Sequence, residues 1–219
     1  MVVPALGDGR SLTIMPLDLA AHLDPATTAV VALEVQENLL LPDHAMIPGV
    51  ALHAETIGLV DRLALLYGEA RRVGALVLYV VDDRRADGLG MADNLMISRS
   101  VKDRSEFFVH GDIIGPLRPH ERDIVIRREH GMTGFYTTPL DAYLTNLGIR
   151  TVILTGVSAN IAVVGTAIEA MNHGYRVIVL SDAIAGDPPE YVEALLRYTI
   201  RNVALVAPTQ QVLDHWVEC

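Results

Sequence analysis

The sequence predicts a three-layer α/β/α fold: a doubly wound, mostly parallel six-stranded sheet with helices on both faces. Three observations carry that expectation. Six short runs rich in Val, Ile and Leu are apolar on both sides, as strands covered by helices from two directions are. Segments with helical apolar spacing separate most of them, the alternation that right-handed crossovers between parallel strands require. No Ser/Gly/Pro-rich linker or charge block divides the 219 residues, so a single domain is expected over 27–219.

Residues 1–26 contain Pro4, Gly7, Gly9, Pro16 and Pro25, which break any regular pattern and read as an N-terminal arm lying on the body or on a partner subunit. AVVALEV at 29–35 is the first expected strand. Residues 49–73 carry Val50, Ile57, Val60, Leu63, Ala64 and Tyr67 at helical spacing and stop at Gly74, a good C-terminal cap. ALVLYVV at 75–81 is the second strand, and the polar, Gly- and Pro-broken stretch 82–121 is long enough for a lid or a partner contact. Further strands are expected at 123–127, 151–157, 176–182 and 202–206, and helices at 140–147, 161–172, 190–200 and 209–217.

Composition narrows the function classes. Hydrophobic residues make up 51% and charged residues 20% of the chain, the balance of a protein with a packed core. A formal net charge of −10, with no clustered Lys/Arg stripe, repels phosphate backbones and anionic bilayers. Neither a nucleic acid nor a membrane partner is expected. The single cysteine is Cys219, so no intramolecular disulfide and no cysteine zinc site is possible, which fits a reducing cytoplasm. No basic n-region with an apolar h-region opens the chain, and no run reaches the ~18 apolar residues of a membrane span.

Doubly wound sheets bind ligands outside the carboxyl ends of the strands where the winding reverses, commonly between the first and fourth strands. That rule selects residues 34–38 and 155–160. Glu34 stands out because it interrupts an apolar run, and a buried carboxylate is costly unless paired or protonated. It either caps an amide, pairs with an arginine, or does chemistry. A dinucleotide module, a third function class, is disfavoured because the first strand is not followed by G-x-G-x-x-G.

Taken together, AVVALEVQENLL and the block from DIVIRREHGMTGFYTTPL to TVILTGVSANIAVVGTAIEAMNHGYRVIVLSDAIA resemble the isochorismatase-like (cysteine hydrolase) superfamily in order and spacing. The resemblance covers about 28–185. It implies the α/β/α fold, a small-molecule carboxylate substrate, no cofactor and homo-oligomerisation. Cysteine hydrolases of this kind use an Asp as proton acceptor, a Lys that stabilises charge and a Cys that attacks. By position those sites hold Glu34, Arg128 and Ala162. Counting forward from Asp123 selects Arg128 for the Lys site, counting back from Phe135 selects Glu129, and strand alternation favours Arg128.

Alanine has no heteroatom, so covalent attack at position 162 is closed. Some members of the superfamily dispense with the cysteine and cleave the vinyl ether of isochorismate after protonation by the Asp, a role that Glu34 fits. Arg128 is suited to holding a substrate carboxylate. The resemblance further places Gln36, His130, Phe135, Ser158 and Asn160 around the substrate. It also implies a non-proline cis peptide between Val157 and Ser158, aiming the amides of Ser158 and Ala162 into the pocket. The Asp-x-His metal motif of the nicotinamidase branch has no counterpart, and His44, His110, His120 and His130 lack ligand spacing. No metal is expected. A catalytically inactive relative that binds a small carboxylate or serves as a structural oligomer is the alternative.

Overall fold

The apolar runs become six parallel strands: β1 (Thr28–Leu33), β2 (Leu76–Asp82), β3 (Ile124–Arg128), β4 (Thr151–Gly156), β5 (Arg176–Ile184) and β6 (Leu205–Ala207). They lie in one sheet ordered β3-β2-β1-β4-β5-β6. The computed structural model describes residues 18–85, 87–90, 94, 96 and 111–217. Most of the expected arm, much of the stretch 82–121, and Cys219 therefore lie outside the described residues.

Alternation along β1 assigns the two cores. Val30 and Ala32 face α1 (Glu37–Leu40), α2 (Pro48–Thr56) and α3 (Leu59–Val73) on one side, with α7 (Thr209–Val217) closing that layer through Val212 and Trp216. Ala29, Val31 and Leu33 face α4 (Leu140–Asn146), α5 (Val164–Asn172) and α6 (Pro189–Tyr198) on the other. Both faces of every central strand are thus dry, which is why the strands read as unbroken apolar runs. The described end of the expected arm packs on the body, with Leu23 fully buried and its carbonyl accepting the Trp216 indole N–H at 2.9 Å.

Local signals explain where the elements depart from the sequence reading. The helix expected at 49–73 is two helices, because Gly58 takes φ +62° and lets the chain turn between α2 and α3. The helix expected from 161 begins instead as a π turn, Ala159–Val163, that leads into α5. The sixth strand is shorter and later than 202–206. Ile200 is fully buried, and its carbonyl accepts the amides of Val203 and Ala204, which holds that part of the run in a turn.

At the β1–β4 pairing Leu33 sits opposite Gly156, whose φ is +99°. A Cβ there would fall 2.1 Å from the Leu33 carbonyl oxygen. Gly156→Ala is therefore expected to cost about 3 kcal/mol, from backbone strain and from prising apart the two central strands. A urea midpoint within experimental error of wild type would contradict this packing.

Candidate functional site

Three neighbouring strand ends build the site. Glu34 follows β1, Asp82 closes β2, and Arg128 closes β3 in register with Asp82. The Glu34 amide still donates to the Val80 carbonyl at 2.9 Å, so the residue begins as strand, but φ +52° then swings the chain off the sheet. A non-glycine residue held at positive φ beside a charged cluster is an uncommon local choice of the kind found at functional sites.

Arg128 lies with Nη2 2.6 Å from Glu34 Oε1 and 3.5 Å from Asp82 Oδ1, its side chain 2% exposed. Arg84, in the segment after β2, brings Nε to 3.0 Å from the same Asp82 oxygen. Two carboxylates and two guanidiniums therefore share one nearly dry cluster. The contacts are close ion pairs without full hydrogen-bond alignment: Glu34 Oε1, Asp82 Oδ1 and Arg128 Nε have no hydrogen-bond partner among the described residues.

Burial is the largest influence on Glu34 and raises its pKa above the ordinary 4.5; Arg128 pulls it back, Asp82 pushes it up, and the net direction is upward. Burial also opposes the charge on Arg128, but Glu34 and Asp82 outweigh it and hold the guanidinium protonated. The cluster thus keeps a firm cation beside a carboxyl group that retains its proton more readily than a free one.

The end of β4 lies next to the end of β1. Val157 donates to the Leu33 carbonyl at 2.9 Å, tying the β4 turn to the residue before Glu34. The Val157–Ser158 peptide is cis, as the resemblance implied. Ala162 is buried within the π turn, and the Ser158 carbonyl accepts the Val163 amide at 3.0 Å. The Ala159 amide donates to the Ala185 carbonyl at 2.7 Å. Glu34 and Arg128 are in contact, and the turn carrying Ala162 is tied to Leu33, the residue before Glu34.

The remaining residues named from sequence separate into different roles. Gln36 donates both amide hydrogens, to the Asp82 and Gly111 carbonyls at 3.0 and 2.7 Å, and accepts the Asp82 amide at 2.7 Å. Its polar atoms tie three segments together, and it also lines the cavity beside the cluster. Asn160 is likewise committed, with Nδ2 on the Asp187 carbonyl at 2.5 Å and Oδ1 accepting the Asp187 amide at 2.9 Å. Phe135 stacks on His173 at 4.9 Å and lies 6.1 Å from Tyr175, which immediately precedes β5. It therefore lies at the amino-terminal edge of the sheet, the edge opposite Glu34, where it packs in the core. Ser158 is half-buried, and His130 and Glu129 are exposed, so Arg128 is the inward-facing member of the 128–129 pair.

Asp82 and Arg84 were missed by the sequence reading. The signal was present: ALVLYVV runs directly into Asp82-Asp83-Arg84 as AVVAL runs into Glu34, and a charge at the end of a doubly buried strand calls for a partner. A cavity of about 490 Å³ opens beside the cluster, between Val81, Val125, Arg127 and the segment 111–119, with Gln36 and Asp82 in its wall. Glu34, Arg128 and Ala162 do not line it.

Residues 28–211 match the isochorismatase domain family. Over 196 residues the chain is 28% identical to the ureidoacrylate amidohydrolase RutB of Methylobacterium radiotolerans, covering 83% of this chain and 74% of that one. It is 31% identical over 170 residues to the isochorismatase family protein YaaI of Bacillus subtilis, covering 76% and 88%. Among solved structures, a cysteine hydrolase from Pseudomonas syringae pv. phaseolicola shares the fold with a TM-score of 0.78 at 22% identity, over 90% of this chain and 95% of that one. N-carbamoylsarcosine amidase from Thermoplasma acidophilum gives 0.64 at 26% identity, over 84% and 96%. No helix among the described residues is long and apolar enough to cross a membrane.

Proposed function

Because the chain belongs to the isochorismatase family, we propose that it is a hydrolase for a small carboxylate substrate that works without a covalent cysteine intermediate, with Glu34 as general acid. The observation that carries this reading is the buried Glu34 carboxyl, held 2.6 Å from Arg128, in a chain with Ala162 at the position the resemblance gives the nucleophile. In vinyl-ether hydrolysis the Glu34 proton goes to the terminal CH₂ carbon of the enol ether, leaving an oxocarbenium ion. Water adds to that cation and returns a proton to Glu34, and the hemiketal collapses to pyruvate and the alcohol. Nothing in this sequence needs a thiol. A guanidinium of the cluster binds the substrate carboxylate, the chemistry to which arginine's fork is matched.

The amidohydrolase and amidase named among the relatives act on other compounds, so the test compares substrates. Isochorismate, ureidoacrylate and N-carbamoylsarcosine are supplied in turn, and product release is followed with mass spectrometry for any adduct. Pyruvate release from isochorismate, with no adduct and with loss in Glu34→Gln, is expected. Turnover of none of the three would favour the second reading, a non-catalytic carboxylate binder or structural oligomer. That reading is supported by the way Gln36 and Asn160 spend their amides on the backbone. Self-association is part of both readings and is supported by Ile161 on the π turn and Ile168 and Met171 on α5, each more than a third exposed. Sedimentation should show an oligomer; a monomer at every concentration would remove it.

A further inference from the structure

Both buried arginines have donors to spare, but only those of Arg84 are within reach of solvent. Arg128 spends Nη2 on Glu34 and Asp82; its Nε has no hydrogen-bond partner among the described residues, but the side chain is sealed from an incoming ligand. Arg84 has Nε on Asp82, but among the described residues its Nη2 finds only the Gly131 carbonyl and the Met132 sulfur, each at 3.5 Å. A guanidinium carries five N–H donors, and a desolvated one whose outer edge meets only distant acceptors is short of partners. Its side chain is 9% exposed, so it is buried yet touched by solvent.

Charge balance adds a second constraint. With Glu34 ionised, Glu34, Asp82, Arg84 and Arg128 sum to zero. These are the charged groups that face Glu34 from β2, the segment after it and β3; the β4 turn, residues 157–163, contributes no titratable side chain. A substrate carboxylate entering this dry cluster leaves it one negative charge in excess, and low-dielectric surroundings penalise that excess strongly. Asp82 touches both guanidiniums, whereas Glu34 touches one. The proton that restores neutrality therefore goes to Glu34.

We infer that Arg84, rather than Arg128, receives the substrate carboxylate, and that arrival of this charge loads a proton onto Glu34. The inference rests on the carboxylate-substrate reading of the site and extends it: the substrate's own anion arms the acid that attacks it. Arg128 then serves as a positioning residue that holds Glu34, and the weakly paired outer edge of Arg84 is the specificity element. An uncharged analogue leaves Glu34 ionised and binds without proton exchange.

The test uses the full chain with benzoate and benzamide as probes, by titration calorimetry at pH 7 in two buffers of different protonation enthalpy. Benzoate should bind at least about tenfold tighter than benzamide, the weight of a charge-assisted contact. Benzoate binding should take up protons, up to one per site, and benzamide binding none. Arg84→Met should abolish the preference while leaving benzamide affinity within about threefold. Glu34→Gln should keep benzoate binding and lose the uptake. If Arg84→Met fails to fold, the charge-balanced double variant Asp82→Asn/Arg84→Met carries the same test. Equal binding of the two probes by wild type, an undiminished preference in the Arg84 variant, or tight benzoate binding without proton uptake would each overturn the inference. Discrimination and uptake with no isochorismate turnover would leave it standing and remove only the proposed activity.

Discussion

Arg128→Met is expected to destabilise the protein by about 3–5 kcal/mol at pH 8, the cost of breaking a buried ion pair by removing one partner. Arg128 is almost completely buried and sits against both Glu34 and Asp82. Methionine fills the space but, among the described residues, leaves Glu34 with no cation in contact and Asp82 with Arg84 alone. Protonation limits the damage, since neutral Glu34 needs no counter-charge. Arg128 lowers the Glu34 pKa in the intact cluster, so its loss raises that pKa further. The penalty is therefore smaller at pH 5 than at pH 8, growing as pH rises through the Glu34 titration. Urea unfolding at the two pH values measures it. Arg128→Lys, which keeps the charge and loses the fork, should recover part of the loss. A cost below 1 kcal/mol at pH 8 would mean that the cluster is not the sealed electrostatic unit described.

The fold was legible because its strands are dry on both faces: six apolar runs, read without any contact information, are the six strands of the sheet, with ends shifted by a few residues. What sequence hid was of two kinds. Gly58 ends α2 by adopting a left-handed conformation inside an otherwise continuous helical pattern, and a glycine in such a pattern reads equally well as a tolerated interior residue. Gln36, Asn160 and Phe135 occupy positions that the resemblance placed around the substrate. Their side chains are satisfied by the Asp82 and Gly111 backbone, by the Asp187 backbone and by the Phe135–His173 stack. Position in a motif fixes where a residue sits in the chain, and only the partners it finds decide what it does.

Glu34 was legible as a carboxylate that interrupts an apolar run; Asp82 closes β2 in the same way but also opens the long Gly- and Pro-broken stretch 82–121, where it and Arg84 blend with the charges that follow. The pairing Glu34–Arg128 joins residues 94 positions apart by subtraction of their numbers, and no local pattern encodes it. It arises from strand order: β1 and β3 flank β2, so an arginine at the end of β3 must reach across Asp82 to meet Glu34.

Glu34→Gln is expected to reduce turnover by about 10²–10⁴-fold, the usual weight of a positioned general acid. The amide has nearly the shape of a protonated carboxyl group, which burial favours at this position, so the variant should fold normally. It has no proton acidic enough to give to carbon. The pH dependence supplies an independent check. A general acid must be protonated, so kcat/KM should be flat below the Glu34 pKa and fall tenfold per pH unit above it, with the falling limb displaced upward from 4.5. Stability should carry the same signature. A carboxyl group whose folded-state pKa is raised contributes stability that is fully present below its unfolded pKa and is lost as pH rises through the folded value. Glu34→Gln removes that pH-dependent component, so wild type and variant should diverge in melting temperature as the pH rises, with the variant losing less. Glu34→Asp retains the acid but draws the carboxyl back by roughly 1 Å, for which a loss of about a hundredfold is expected with the falling limb kept. If Glu34→Gln retained a tenth of wild-type turnover, or if its pH profile kept the limb, proton donation would belong to another group and the catalytic assignment of Glu34 would fail.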